Sequence, residues 1–445
     1  MKKLFLLVGL CIVIQSEAQQ KHPTFMQQGN IYEVNIRQYT QEGTFNAFAK
    51  HLPRLKAMGV QTVWFMPIQP ISKIGRKGTL GSYYAVADYT GINPEYGTLQ
   101  DFKKLVNQVH TLGMKAIIDY VPNHSGADNK WLTTHPDFYE KDSLGNPTFT
   151  ADWSDTRELN FANVEMQDSM INSMRYWVNN TNIDGFRVDV AWGVPTSFWF
   201  KCIAALKKIK PLFFLAEADD AALHPAGFDA TYTWREYNIF KDIAAGQKGV
   251  TALDSIFNVI DTSFVKGAWR LYFTSNHDEN SWNKADYGTM PGAIHAPFAI
   301  LSQTYHRTLP LIYSGQEEPV LRPIQFFEKD PMPFSKYERA PFYSTLLHLR
   351  QSNKAFGEAA KFSRIKVNNP NAVMAYQRVA ENDQVVVVLN LSNQANQVQL
   401  ELEKGSNIYT DLFTKQNVQN INQFELLPWG YKVFVKTNRV VKVQK

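Results

Sequence analysis

The sequence predicts an α/β chain: a closed (β/α)8 barrel with a short inserted subdomain after strand three and a C-terminal antiparallel β-sandwich. Three observations carry this expectation. Eight short apolar runs, rich in β-branched and aromatic residues, alternate with amphipathic stretches. Several of these runs end in polar or charged residues, as barrel strands do where their loops converge on one mouth. From about residue 356 the pattern becomes short alternating runs split by Asn/Gly turns, without helical period. At roughly 100–200 residues per domain, 445 residues hold one large domain and a smaller companion.

In chain order, Lys2 and Lys3 precede an apolar run over 4–14, and Ser16-Glu17-Ala18 forms a small-x-small cleavage site. Residues 1–18 therefore read as a signal peptide of an exported protein, periplasmic or extracellular. The run is about half the ~20 residues a membrane span needs, so no transmembrane segment is expected in the mature chain. Predicted strands follow at 31–36 (IYEVNI), 62–66 (TVWFM), 116–121 (AIIDYV), 185–190 (GFRVDV), 213–217 (FFLAE), 230–234 (ATYTW), 270–275 (RLYFTS) and 311–314 (LIYS). Between the second and third, Phe102, Leu105, Val106, Val109 and Leu112 recur at helical spacing. Thr98, three residues before Asp101, opens that helix and Gly113 closes it. An open doubly wound sheet is the alternative arrangement of such units.

The stretch over 124–161 breaks the alternation, is rich in Asp, Asn, Gly, Pro and Trp, and is too long for an ordinary connection. It reads as a subdomain beside the barrel mouth. The barrel domain is placed at 19–355 and the sandwich at 356–445, where 385–391 (VVVVLNL) and 397–402 (QVQLEL) are strand candidates.

Composition narrows the chemistry. The net charge of +5 comes from 46 basic and 41 acidic residues scattered without a Lys/Arg block, so no nucleic-acid footprint is evident. Two cysteines, Cys11 and Cys202, are too few for a disulfide framework or a thiolate metal cluster.

Three carboxylates, Asp189, Glu217 and Asp278, fall at predicted strand ends. Retaining cleavage of a glycosidic bond needs a carboxylate nucleophile, a protonated carboxylic acid about 5 Å away, and support for a sugar cation. Adjacent strands about 4.8 Å apart can supply the nucleophile and acid. Arg187, two residues before Asp189 and on the same strand face, would keep that Asp ionised. Glu217 follows Phe213, Phe214, Leu215 and Ala216, and desolvation by such neighbours favours the protonated acid. His124 and His277 could hydrogen-bond sugar hydroxyls.

The chain resembles glycoside hydrolase family 13, the α-amylase family. Its four short regions appear in order as DYVPNH (119–124), GFRVD (185–189), FLAE (214–217) and FTSNHD (273–278). GSYYAVADY (81–89), INPEYG (92–97), PLIYSGQE (310–317) and PWGY (428–431) extend the likeness over nearly the whole mature chain. The resemblance implies Asp189 as nucleophile, Glu217 as general acid and base, and Asp278 as transition-state stabiliser. It further implies that Arg187 holds the nucleophile, that His124 and His277 bind the sugar, that Tyr84 stacks on it, and that Asp119 stands near the Arg. No cofactor is implied for the chemistry. A structural calcium is a family trait that Asn123 matches, yet a hard cation takes six to eight oxygens and the insert offers no obvious set. Trp192 and Gly193 replace a Lys-His pair common in the family, so that sugar contact does not carry over.

The expected activity is retaining hydrolysis of α-1,4-glucosidic bonds in starch-derived glucans or maltooligosaccharides. A transglycosylase of the same fold and a noncatalytic sugar-binding protein are the alternatives. The sequence sets no oligomeric state.

Overall fold

The computed structural model describes residues 22–402 and 408–437; the expected signal peptide at 1–18 lies outside them. Eight parallel strands close into a barrel: β1 (Ile31–Val34), β2 (Thr62–Phe65) and β3 (Lys115–Tyr120) come first. Next come the insert's β4 (His124–Gly126) and β5 (Thr156–Glu158). β6 (Gly185–Val188), β7 (Phe213–Ala216), β8 (Ala230–Tyr232), β9 (Trp269–Tyr272) and β10 (Thr308–Tyr313) complete the ring. Around it the order is β1-β2-β3-β6-β7-β8-β9-β10, returning to β1. Every predicted barrel strand is present, and the open sheet is excluded by the β1–β10 pairing. The strands are buried on both faces, which explains why they read as continuous apolar runs rather than alternating ones.

Local chemistry explains the boundaries. Helix Leu99–Thr111 begins at Thr98, whose hydroxyl accepts from Asp101 N while the Asp101 carboxylate accepts from Thr98 N, a complete capping box. Gly113 follows in the left-handed region with φ +69°. At the start of β6 a Cβ on Gly185 would overlap the Phe213 carbonyl oxygen, so only glycine lets these two strands approach.

The insert is an antiparallel pair, β4 with β5, closed around a short helix Trp131–Thr134. Ala127 N donates to Asp155 O at 3.0 Å within it, and Gly126 N to Val86 O at 2.8 Å and Leu159 N to Asn123 O at 3.1 Å hold it to the barrel.

Beyond helix Ala340–Ser352 the chain enters β11 (Lys361–Arg364), β12 (Val373–Ala380), β13 (Asp383–Asn390), β14 (Asn396–Gln399), β15 (Tyr409–Asp411), β16 (Asn417–Val418), β17 (Gln423–Leu426) and β18 (Tyr431–Thr437). A six-stranded antiparallel sheet faces the β14–β17 pair. Val373, Ala375, Val386 and Val388 pack inward with Val398, Leu426 and Phe434. Met374, Tyr376, Val385, Val387 and Leu389 pack the other way, with Phe298 and Tyr305 of the barrel domain and Phe356 at the boundary between the two. Four consecutive valines suit a strand with two covered faces.

Between the two domains Phe356 lies under two buried guanidiniums, Arg350 at 5.3 Å and Arg378 at 4.9 Å from its ring centre. Carbonyl oxygens satisfy both cations: Arg378 donates to Ala355 O and Tyr305 O, Arg350 to Gln303 O and Thr308 O.

Candidate active site

The site is assembled at the C-terminal ends of the barrel strands, beginning from register. Asp119 on β3 lies directly beside Arg187 on β6. The sheet ladder continues one residue past the strands, with Asp189 N donating to Tyr120 O and Glu217 N to Val188 O, each at 2.9 Å. Those bonds fix where the two carboxylates leave the backbone.

Arg187 is fully buried and joins the acids. Its Nη1 donates to Asp119 Oδ1 at 3.0 Å and to Asp189 Oδ1 at 2.9 Å. Nη2 stands 3.0 Å from Glu217 Oε1, an ion-pair contact without hydrogen-bond alignment. Nε donates to the Tyr232 hydroxyl at 3.3 Å, and the guanidinium lies 5.1 Å from the Trp64 ring. A planar fork with five donors can bridge separate carboxylates in a way a lysine ammonium cannot.

Burial pushes the Glu217 carboxyl up to about 7, with Arg187 opposing it and Asp189 adding to it. Burial likewise raises Asp189, to about 6, and here it outweighs Arg187, so the arginine moderates a raised value rather than depressing it below the ordinary one. Asp189 still ionises by neutral pH. Val190, immediately after it, sits at φ +45°, a conformation costing a β-branched residue on the order of 1–3 kcal/mol. That turn aims its N–H at Glu217 Oε2, 2.8 Å away.

Asp278 lies in the short helix His277–Trp282, capped by Asn276, rather than on the strand end itself. Burial raises its carboxyl, but adjacent His277 outweighs that and holds it below its ordinary value. His277 Nδ1 is 2.5 Å from Glu33 Oε1, while Nε2 lies 2.8 Å from the Tyr84 hydroxyl and 3.3 Å from Asp278 Oδ2. Burial opposes charge on this imidazole, yet the Asp278 and Glu33 carboxylates raise its pKa well above the usual value. Tyr84 passes the chain on by donating to Asp119 Oδ2 at 3.1 Å, its ring stacked at 5.4 Å on His277. Across the mouth, burial pulls His124 down to about 4, leaving a neutral imidazole.

These groups open into a cavity of about 700 Å³ whose wall includes Tyr84, His124, Asp189, Glu217, His277 and Asp278. Arg187 and Asp119, expected among the substrate-binding residues, have no exposed surface and are absent from that wall. Their contacts run to Asp189, Glu217 and Tyr84, so they position the groups that face substrate. Trp192 also lines the mouth and is 62% exposed. Sequence reasoning missed Glu33, Trp64 and Tyr232 beneath the site, and Trp153, Asp155, Trp234, Trp282, Phe326 and Phe327 around the cavity.

The side chain of Asn123 is committed within the protein, its Nδ2 donating to Gly193 O at 3.2 Å and its Oδ1 lying 3.2 Å from His124 Nδ1. A Cβ at position 193 would stand 2.7 Å from that Nδ2, so the glycine admits the contact. No group of three or more His, Cys, Asp or Glu able to hold a metal occurs among the described residues.

Residues 20–153 match the family model described as alpha amylase, catalytic domain, and 362–433 the one described as maltogenic amylase, C-terminal domain. A maltogenic α-amylase from Thermotoga neapolitana superposes with a TM-score of 0.85 at 30% identity, covering 93% of this chain and 99% of that one. An α-amylase from Lactobacillus plantarum gives 0.83 at 28%, covering 93% and 100%. An α-amylase of Haloarcula japonica is 25% identical over 404 residues, 85% of this chain; the match spans 57% of that relative's length.

Proposed function

The chain belongs to the α-amylase family, and from that premise we propose that it is a retaining glycosidase acting on α-1,4-linked glucans through a covalent glycosyl-enzyme. The observation that carries this reading is the bridge of one guanidinium between Asp189 and Glu217, with the second held protonated into the neutral range. Asp189 Oδ1 accepts from Arg187, which leaves Oδ2 to attack the anomeric carbon. Glu217 gives its proton to the departing glycosidic oxygen as that bond breaks. Asp278, the more readily ionised acid, supports the positive charge that develops on the sugar. Glu217, now a carboxylate, takes a proton from water, and the resulting hydroxide equivalent releases the sugar from Asp189 with its original configuration.

His277 and Tyr84 supply a donor and a ring face for the sugar at the point of cleavage, and neutral His124 a further polar contact. The cavity wall sets aromatic rings, among them Tyr84, Trp153, Trp234 and Phe326, beside carboxylates, which suits the apolar faces and hydroxyl edges of a glucan. Residues 1–18 support export as the setting in which it meets such polymers.

Product analysis tests the reading, using maltotriose to maltoheptaose, starch, pullulan and trehalose, with and without a calcium chelator. Short maltooligosaccharides released at a chelator-independent rate are expected. Absence of cleavage on every α-1,4 substrate, or equal activity in the Asp189→Asn variant, contradicts it; products longer than the substrate point instead to a transglycosylase.

A further inference from the structure

Strand order gives the cavity a direction. Val190 and Trp192 after β6, Glu217 after β7 and Trp234 after β8 occupy three neighbouring strand ends. Lys77 after β2, Asp152, Trp153, Asp155 and Thr156 of the insert after β3, and Phe326 and Phe327 after β10 line the opposite side. On the glycosidase reading, Glu217 faces the departing oxygen, so the leaving group lies over β6 to β8. The non-reducing part of the substrate then runs toward the β10-to-β3 side.

That side is crossed by one loop tied at both ends. Lys77 Nζ donates to Asp152 O at 2.7 Å on the insert. Leu80 N donates to Phe327 O at 3.0 Å, and Thr79 N to Glu328 Oε1 at 2.8 Å, on the loop after β10. Gly75, at φ +68°, packs 3.4 Å from the Asp155 Cα, measured from where its Cβ would lie, which brings the loop tight against the insert.

Against this wall, Asp155 is 2% exposed, lines the cavity, and has an Oδ2 without a hydrogen-bond partner among the described residues. Buried carboxylate oxygens are ordinarily partnered, because leaving one unpaired costs about 1–3 kcal/mol. That oxygen is itself covered, but the Asp155 side chain stands in the wall of a sugar-sized cavity, where a turn of the carboxylate would offer it to the hydroxyl donors of a pyranose. Its neighbours complete such a site: Trp153 presents a ring 5.4 Å from His124, and Lys77 an ammonium.

We infer that the non-reducing side of the cleft is a dead end in which Lys77, Trp153 and Asp155 bind the terminal glucosyl unit, so that the enzyme removes short products from chain ends. The inference rests on the glycosidase reading. An aromatic face sets the ring, Asp155 accepts from a hydroxyl, and the tied loop stops the chain from running through. A closed end also sets product length, since the number of glucosyl units between the wall and Asp189 is fixed.

The test compares maltoheptaose with maltoheptaose whose terminal 4- and 6-hydroxyls are bridged by an ethylidene group. Wild-type enzyme should cleave the free chain to products of one length and the blocked chain at least about 100-fold more slowly in kcat/KM. Asp155→Ala should raise KM for maltotriose about tenfold with kcat changed less than threefold, the loss of one well-placed hydrogen bond. Should that variant fail to fold by its melting curve, Lys77→Ala carries the same test, with a narrowed gap between free and blocked chains expected. Comparable cleavage of both chains by the wild type overturns the dead end while leaving the glycosidase reading intact. Failure to cleave either overturns both.

Discussion

Arg187 Nη1 stands 2.9 Å from Asp189 Oδ1, two residues along one strand, and the same guanidinium reaches Glu217 through Nη2. The two carboxylates are thereby positioned by a single rigid group. Arg187→Lys keeps the charge but removes the fork. It should lower kcat/KM about a hundredfold or more while secondary structure by circular dichroism is unchanged. Activity within about threefold of wild type would show that the fork does not set the geometry.

The two raised carboxyls set a narrow pH window. Asp189 must be ionised to attack, so kcat/KM should rise as pH passes about 6. Glu217 must be protonated to assist departure, so the rate should fall as pH passes about 7. A profile of kcat/KM on maltotriose from pH 4 to 9 checks both limbs. A rate still climbing at pH 9 would remove Glu217 as the acid.

Glu217 also links stability to pH. Between its ordinary 4.5 and the folded value of about 7, the native carboxyl holds a proton that the unfolded chain releases. This contribution is fully present below the ordinary value and is lost as pH rises through about 7. Glu217→Gln removes the titration, so its Tm relative to wild type should increase from pH 5 to pH 8, by roughly a few degrees. A constant difference across that range would mean the folded carboxyl titrates normally.

Much of this architecture was legible because sequence and physics agree locally. Thr98, Asp101 and Gly113 mark a helix that forms with both caps intact. Arg187 and Asp189 share a strand face by period two alone, and the FFLA run before Glu217 foretells its raised pKa. Other parts depend on register, which no local pattern encodes. Asp119 meets Arg187 only because β3 and β6 become neighbours across the insert. Glu33 carried a signal that went unread: a lone acid in a strand covered on both faces needs a cationic partner, and His277, 244 positions away, provides it. Trp153 and Asp155 lie in an insert without periodicity, so only the folded loop shows that they face the cavity.

The contact between domains gives a prediction independent of catalysis. Phe356 is fully buried and fills the space under Arg350 and Arg378. Phe356→Ala should destabilise the chain by about 3–5 kcal/mol in urea denaturation, through the cavity and the lost cation–π contacts. A loss below about 1 kcal/mol would mean the two domains do not share that core.

The central claim is the covalent step on Asp189, and the most direct measurement is mass spectrometry of Glu217→Gln enzyme mixed with α-maltosyl fluoride. Fluoride departs without a proton, so the Asp189 oxygen–carbon bond can form as the carbon–fluorine bond breaks, while the missing base stalls hydrolysis of the ester. The account predicts an adduct of one maltosyl unit on the peptide containing Asp189. Fluoride release with no adduct and an inverted sugar product, or an adduct on any other residue, would contradict it.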